Sequence, residues 1–140
     1  PSTVWHTEGI DAERNQRFYL TKAGLALVAG DPGRRPLSDP ATLAEFMTWP
    51  AKNDPARRHG LNLWNHGVGS VVGFGADERY GGQSLSVAGS RQALEIRRDL
   101  ERAHERAGAT LELIGLDGSL MSTTEVAYAV GPFARCMVAS

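Results

Sequence analysis

The chain has 140 residues, 41% of them hydrophobic, and its formal net charge is −1. This length and composition fit one domain with a core of ordinary size. Acidic and basic residues are interleaved, so the sequence predicts neither a nucleic-acid-binding surface nor a membrane-binding one. A single cysteine, Cys136, excludes an internal disulfide, and no spaced set of Cys and His residues indicates a structural zinc site. Cys136 is in an apolar stretch, where we expect it to be a small buried hydrophobe.

The first predicted elements are weak strands. Residues 17–21 are a plausible strand, and residues 25–28 are a possible hairpin partner. The segment 30–39 mixes glycine and proline with charged residues, a composition typical of a surface loop.

One helix and one clear strand follow this loop. The pattern predicts a helix over 41–48, which Ser38 or Asp39 can cap and which Pro50 ends. Residues 61–65, Leu-Asn-Leu-Trp-Asn, are predicted to form a strand.

The second half begins with a glycine-rich segment. Residues 66–85 show no period long enough to indicate a helix or strand, so we predict a long loop of the kind found at active sites. Apolar residues at helical spacing predict an amphipathic helix over 87–107, which Gly108 ends. The remaining predicted elements are a strand at 111–116, a helix at 121–130 and a strand at 135–139.

Strands that alternate with helices predict an α/β fold with a mostly parallel sheet and helices on both faces. We expect residues 1–140 to form a single domain. Ligands of such sheets bind at the carboxyl ends of the strands.

Two strand ends carry residues suited to nucleophilic catalysis. His66 directly follows the strand at 61–65, and Ser119 lies in the turn Asp117-Gly118-Ser119 that follows the strand at 111–116. If these strands are parallel neighbours, the imidazole and the hydroxyl emerge at one edge of the sheet. The backbone N–H groups of Gly67 and Ser119 would then point between them as oxyanion donors. On its own, a histidine after a strand is more often structural.

Two motifs, in the same order, resemble those of the clostripain family of cysteine peptidases. Leu63 to Gly67, LWNHG, is similar to the family's histidine motif. The stretch 117–128, DGSLMSTTEVAY, resembles the segment that holds the nucleophile, with serine where the family has cysteine. The resemblance implies a caspase-like α/β sandwich in which His66 is the general base and Ser119 occupies the nucleophile position. It also implies peptide substrates that are cleaved after arginine or lysine. Some members of the family bind calcium, but no acidic loop of recognisable ligand spacing is found in this sequence, so we predict no cofactor.

The resemblance extends more weakly from about Arg17 to Ser140. An upstream strand and an acidic-Asn motif that the family normally has are not found here. We therefore expect an incomplete peptidase domain, whose partners include other segments of the same peptidase.

Ser119 leaves three interpretations open. A thiol paired with imidazole ionises to a thiolate, whereas a serine hydroxyl stays protonated and needs general-base assistance. The chain is therefore an engineered inactive form, a natural pseudoenzyme or a working Ser-His hydrolase. We favour the first, because the rest of the motif matches the family except for Gly118, which is usually alanine there.

Two charged residues have possible roles in substrate handling. Asp117 either caps the following helix or braces the turn, or it is a buried carboxylate that selects arginine at the base of the specificity pocket. Relatives cut themselves between the histidine and the nucleophile, and Arg79 is the best-placed basic residue for such autocleavage.

Two non-peptidase interpretations are also possible. Gly67-Val68-Gly69 with Gly73 and Gly75 could be a phosphate-binding loop, but no helix follows to present N–H groups to a pyrophosphate, which argues against a nucleotide site. A pseudopeptidase that binds peptides or proteins without cutting them is the main alternative.

Overall fold

The computed structural model describes residues 9–11, 14–28, 33–103 and 110–140, and over 97–103 it describes the backbone alone. The chain divides into two units, Pro1–Arg35 and Pro36–Ser140. In the first unit, β1 (Phe18–Thr21) pairs antiparallel with β2 (Gly24–Leu27), which confirms the predicted hairpin. The prediction of one domain over 1–140 stays a prediction.

The second unit alternates helices with strands, as predicted. Its elements are α1 (Pro40–Asn53), β3 (Gly60–Trp64), α2 (Gly69–Val72), β4 (Phe74–Asp77), β5 (Gln83–Leu85), α3 (Val87–Ala103), β6 (Leu111–Asp117), α4 (Thr124–Val130) and β7 (Ala134–Ala139). Two single-turn 3-10 helices, Glu78–Tyr80 and Gly131–Phe133, lie between them.

A three-stranded sheet in the order β3-β6-β7 lies at the centre of this unit, and both strand pairs are parallel. The chain moves in one direction across this sheet, from β3 to β6 to β7. Crossovers between parallel strands are right-handed, so two successive crossovers in one direction place α3 and α4 on the same face. The expected α/β fold with a mostly parallel sheet is confirmed.

The core lies between this face and the helices. Leu61 of β3 and Ile114 of β6 are register partners with 7% and 1% exposure, and their side chains point toward the helices. Buried side chains from all three longer helices pack against them: Leu43, Ala44, Met47, Ala93, Leu94, Val126, Ala129 and Val130. Helix α1 also packs along α3.

Much of the opposite face of the sheet is exposed in the described residues, although Leu111 at the start of β6 is buried, and the predicted helices on this second face are not seen there. Trp64 is 80% exposed and Val138 is 62% exposed, and both alternate along their strands with inward-facing residues. Cys136, predicted to be a buried hydrophobe, is exposed, because it pairs with the half-exposed Leu113 on this uncovered face. The described helices therefore cover one face of the sheet.

Two helix boundaries differ from the prediction. Asp39 caps α1, accepting a hydrogen bond from the N–H of Ala41 at 2.9 Å, but the helix continues through Pro50 to Asn53. Proline removes only one helical N–H near the end of a helix whose other side packs against α3, so the last turn survives. Helix α4 begins at Thr124 rather than at residue 121, because the Thr123 hydroxyl caps it by accepting from the N–H of Val126.

The predicted loop over 66–85 is wrong in detail, because the segment folds into α2, a 3-10 turn and the antiparallel pair β4-β5. Gly81 and Gly82, with φ of 72° and 70°, supply the left-handed backbone that lets the hairpin turn. A Gly-Gly pair between two short strands is a hairpin signal that could have revealed this element from sequence.

The amphipathic helix is confirmed as α3 up to Ala103. Its predicted end at Ala107 and Gly108 lies outside the described residues. Among the helices of the described ranges, none is both long and apolar enough to cross a membrane.

We expect Ile114→Ala to lower the free energy of unfolding by roughly 2 to 5 kcal/mol, because it removes a fully buried side chain and leaves a cavity. Leu113→Ala is the matched control. Its side chain is on the uncovered face at 38% exposure, so the loss should be about 1 kcal/mol or less. Equal losses in urea-induced unfolding would contradict the assignment of the covered face.

Candidate active site

The histidine segment folds back against β4. The N–H of Gly75 donates to the His66 carbonyl oxygen at 2.8 Å, and the N–H of Val68 donates to the Gly73 carbonyl oxygen at 3.0 Å. The side chain of Asn65 accepts a hydrogen bond from the N–H of His66 at 2.7 Å. These bonds hold the backbone on both sides of His66, while its side chain is exposed at the carboxyl end of β3.

Gly67 is the middle residue of this fold-back and forms an isolated antiparallel bridge with Phe74. The bridging hydrogen bonds are made by the residues on either side, so the N–H of Gly67 points away from Phe74. The nitrogen of Gly67 lies 2.9 Å from the point where a Cβ at position 118 would be. Its N–H group is therefore on the side of the Ser119 turn.

The Ser119 turn is tight and carries an unusual backbone conformation. Ser119 is exposed, and Leu120 after it has a φ of 63°, the only positive φ of a non-glycine residue in the described ranges. That conformation costs a branched residue such as leucine roughly 1 kcal/mol or more, and such strain is often found at functional sites. Beyond it, the N–H groups of Met121 and Ser122 donate to the Ser140 carbonyl oxygen at 2.7 and 3.0 Å, which ties the turn to the end of β7.

The two segments are in backbone contact. A Cβ on Gly67 would overlap the carbonyl oxygen of Ser119 and would lie 2.7 Å from Cγ of Met121. A Cβ on Gly118 would lie 2.6 Å from the Asn65 carbonyl oxygen and 2.8 Å from the Phe74 ring. The structure thus brings His66, Gly67 and Ser119 to one edge of the sheet, and the absence of a Cβ on Gly67 allows this approach.

Asp117 is the last residue of β6 and is exposed, so the expected buried carboxylate is not seen in the described residues. It does not cap the following helix either, because Thr123 does so. Its carbonyl oxygen accepts from the N–H of Asn65 at 3.3 Å, and its register partner is Trp64. The carboxylate therefore stands at the candidate site, two residues before Ser119, and within the described residues no hydrogen bond or ion pair holds it.

Trp64 was not predicted as a site residue. The alternation of Leu61 and Leu63 with Asn62 and Trp64 does place the indole on the opposite face from the core, which is the signal that could have identified it.

Arg79 is exposed in the 3-10 turn at the tip of the β4-β5 hairpin. The carboxylate of Asp77 accepts from the N–H of Leu37 at 2.9 Å, and the Asp77 carbonyl oxygen accepts from the N–H of Gly82. Arg79 therefore lies in an accessible turn that hydrogen bonds of Asp77 hold in place. This turn is in the chain segment between His66 and Ser119.

Within the described ranges, no group of three or more His, Cys, Asp or Glu side chains could hold a metal ion. The sequence predicts no cofactor, with calcium a possibility through the family resemblance alone, and this stays a prediction.

We expect Gly67→Ala to lower the free energy of unfolding by roughly 1 to 3 kcal/mol, because the added methyl group must push the Ser119 turn away. Gly131→Ala is the control, since a Cβ there meets no atom within 4 Å and its φ is −55°. Its effect should stay within about 0.5 kcal/mol. If thermal or urea unfolding gives the two variants the same stability, the contact between the two segments is wrong.

Comparison with known proteins agrees with this geometry. The family model of the clostripain family, Peptidase_C11, matches residues 35–140. A secreted C11 cysteine protease from Bacteroides thetaiotaomicron, solved by X-ray in complex with an irreversible peptide inhibitor, matches with a TM-score of 0.67 and 18% sequence identity. The match covers 89% of this chain and 34% of that chain, so this chain spans about a third of the protease it resembles. At this identity the likeness shows the fold.

Among curated proteins, none matches this sequence. The family match includes both the His66 segment and the Ser119 turn, which fold together at the carboxyl ends of two parallel strands. The chain belongs to the clostripain family of peptidases.

Proposed function

We propose that this chain carries the histidine and nucleophile positions of a cysteine endopeptidase that cleaves after arginine or lysine, with Ser119 in place of the nucleophilic cysteine. One observation carries the proposal: the backbone contact of His66-Gly67 with Gly118-Ser119 at the carboxyl edge of β3 and β6. Family membership and the fold of a C11 cysteine protease support it.

With cysteine at position 119, the thiolate attacks the carbonyl carbon of the scissile peptide bond. The carbonyl oxygen becomes an oxyanion, which the N–H of Gly67 stabilises by donating a hydrogen bond. As the C–N bond breaks, protonated His66 gives its proton to the leaving amine and a thioester remains. Water, deprotonated by His66, then hydrolyses the thioester and restores the thiol.

Serine at position 119 stops this sequence at its first step. A hydroxyl does not ionise at neutral pH, so His66 would have to remove its proton during the attack, which a site built for a thiolate is not arranged to do. We propose that Ser119 is an engineered inactivation that keeps substrates and the chain itself uncut.

Asp117 is the proposed selector of basic residues. Its exposed carboxylate is at the end of β6, two residues before the nucleophile position. A carboxylate pairs with the fork of an arginine guanidinium through two parallel hydrogen bonds, and with lysine through a point charge. Protein and peptide substrates with Arg or Lys at the cleaved bond, and other segments of the same peptidase, are the proposed partners.

We expect Ser119→Cys to create cleavage of peptides after arginine and lysine, and His66→Ala in that background to lower kcat by at least about a hundredfold. The measurement is release of a fluorophore from arginyl, lysyl and neutral peptide substrates. Equal cleavage of the neutral substrate would contradict the proposed specificity, and activity that survives His66→Ala would contradict the role of the imidazole.

Autocleavage at Arg79 is a separate part of the proposal. Ser119→Cys should yield two fragments separated near Arg79, because this residue is in an accessible turn. Arg79→Ala in the same background should keep the chain whole, whereas Arg57→Ala, an exposed arginine before β3, should not. Intact mass spectrometry reads the result. A restored chain that is active yet stays uncut would contradict the idea.

The alternative function is a natural pseudopeptidase that binds peptides or proteins. Serine at position 119 favours this alternative, because the edge formed by His66, Gly67 and Ser119 stays in place without a thiol. The codon at position 119 of the natural gene separates the two: cysteine there means engineering, and serine means a pseudopeptidase or a serine hydrolase.

A further inference from the structure

We infer that Trp64 forms one wall of the pocket for the basic substrate side chain, and that its indole stacks on the guanidinium while Asp117 pairs with it. This rests on the proposed function, because it names a second residue that determines specificity at the same site. The predicted consequence is a preference for arginine over lysine.

The first observation is the register of the sheet. Trp64 and Asp117 are Cα partners in the parallel pair β3-β6, and neighbouring strands lie about 4.8 Å apart. Their core-facing neighbours, Leu63 and Leu116, are also register partners and point toward the helices. Because side chains alternate along a strand, Trp64 and Asp117 stand side by side on the opposite face.

The second observation is a contact between Asn62 and Gly115, which confirms that Trp64 and Asp117 lie on the face opposite the core. The side chain of Asn62 covers Gly115, since a Cβ on that glycine would overlap Oδ1 of Asn62. Asn62 precedes Trp64 by two residues, and Gly115 precedes Asp117 by two residues. The same face therefore continues to the carboxyl end of both strands, where it ends in the indole and the carboxylate.

The third observation is the short distance along the chain from Trp64 to His66 and from Asp117 to Ser119. His66 follows Trp64 by two residues, and Ser119 follows Asp117 by two residues, which corresponds to about 7 Å of extended chain. A substrate whose scissile carbonyl lies between His66 and Ser119 can extend a long side chain back to the indole and carboxylate. A short side chain cannot make this reach.

The chemistry of the pair favours a planar cation. An indole face attracts a cation through its π electrons, more strongly than other aromatic rings do, and guanidinium also stacks on it flat. At 80% exposure, the indole of Trp64 is unusually open for a residue of this size, so its face is available to a ligand. Ion pairing at Asp117 would accept either Arg or Lys, while stacking on Trp64 distinguishes them.

The test uses Ser119→Cys with arginyl and lysyl peptide substrates. Trp64→Leu should raise KM for the arginyl substrate about three- to tenfold, leave kcat within about twofold, and change KM for the lysyl substrate less. Trp64→Phe, which keeps a ring, should give an intermediate KM. Tyr128→Leu is the control, because Tyr128 is 79% exposed on α4, on the other side of the sheet. This substitution should leave KM for the arginyl and lysyl substrates unchanged.

A binding measurement separates this inference from the proposed function. The Ser119 protein, which cannot turn over by thiol chemistry, is titrated with an arginyl peptide by calorimetry, and Trp64→Leu should weaken binding by the same three- to tenfold factor. Such binding without any cleavage by Ser119→Cys would support the pocket and overturn the peptidase. Cleavage with an unchanged KM in Trp64→Leu, or arginyl peptide bound no better than a neutral one, would overturn the pocket.

Discussion

The close approach of two glycine-containing turns is the constraint on which the site depends. Gly67 lies against the Ser119 carbonyl oxygen where no Cβ would fit, and the turn at Gly118 lies against the backbone of Asn65 and Gly67, so the ends of β3 and β6 meet. The parallel register of β3 and β6 then determines which side chains lie at this edge. Trp64 pairs with Asp117, and the same count of two residues beyond each leads to His66 and to Ser119. Sheet register and backbone contact together place His66, Ser119 and the N–H of Gly67 at one edge.

The direction of the chain across the sheet explains where the surface is open. Both crossovers run the same way, so α3 and α4 pack with α1 on one face and build the core there. The other face keeps exposed side chains such as Trp64 and Val138. The candidate site lies where this open face meets the carboxyl ends of the strands.

Strands β3 and β6 were predictable from the sequence, because apolar residues alternate with polar ones in 61–65 and form a mostly apolar run in 111–116. Pro50 and the start of α4 were predicted wrongly, since tertiary packing along α3 and the Thr123 cap decided those boundaries. The fold of 66–85 was missed because its elements have three or four residues each and depend on pairing with one another.

For the candidate site, the sequence predicted that His66, Gly67, Asp117 and Ser119 lie at the carboxyl ends of two strands, but it did not predict the contacts between them. The meeting of His66 and Ser119 required the strands to be parallel neighbours, which the two motifs implied and the periodicity could not show. Cys136 was wrongly expected to be buried, and Asp117 is exposed although one of its two interpretations needed a buried carboxylate. Both residues lie on the face that the described helices leave open. Local patterns predict which residues share a face, but not whether a neighbouring element covers it.

The most direct measurement is the rate at which iodoacetamide alkylates the thiol introduced by Ser119→Cys, read by peptide mass spectrometry against Cys136 in the same chain. Cys136 is exposed on β7 and provides the reference rate of an accessible thiol. If an imidazole faces position 119, this thiol should react at least about tenfold faster than Cys136 at neutral pH, and His66→Ala should reduce its rate to that of Cys136. A rate that is the same with and without His66 would contradict the account.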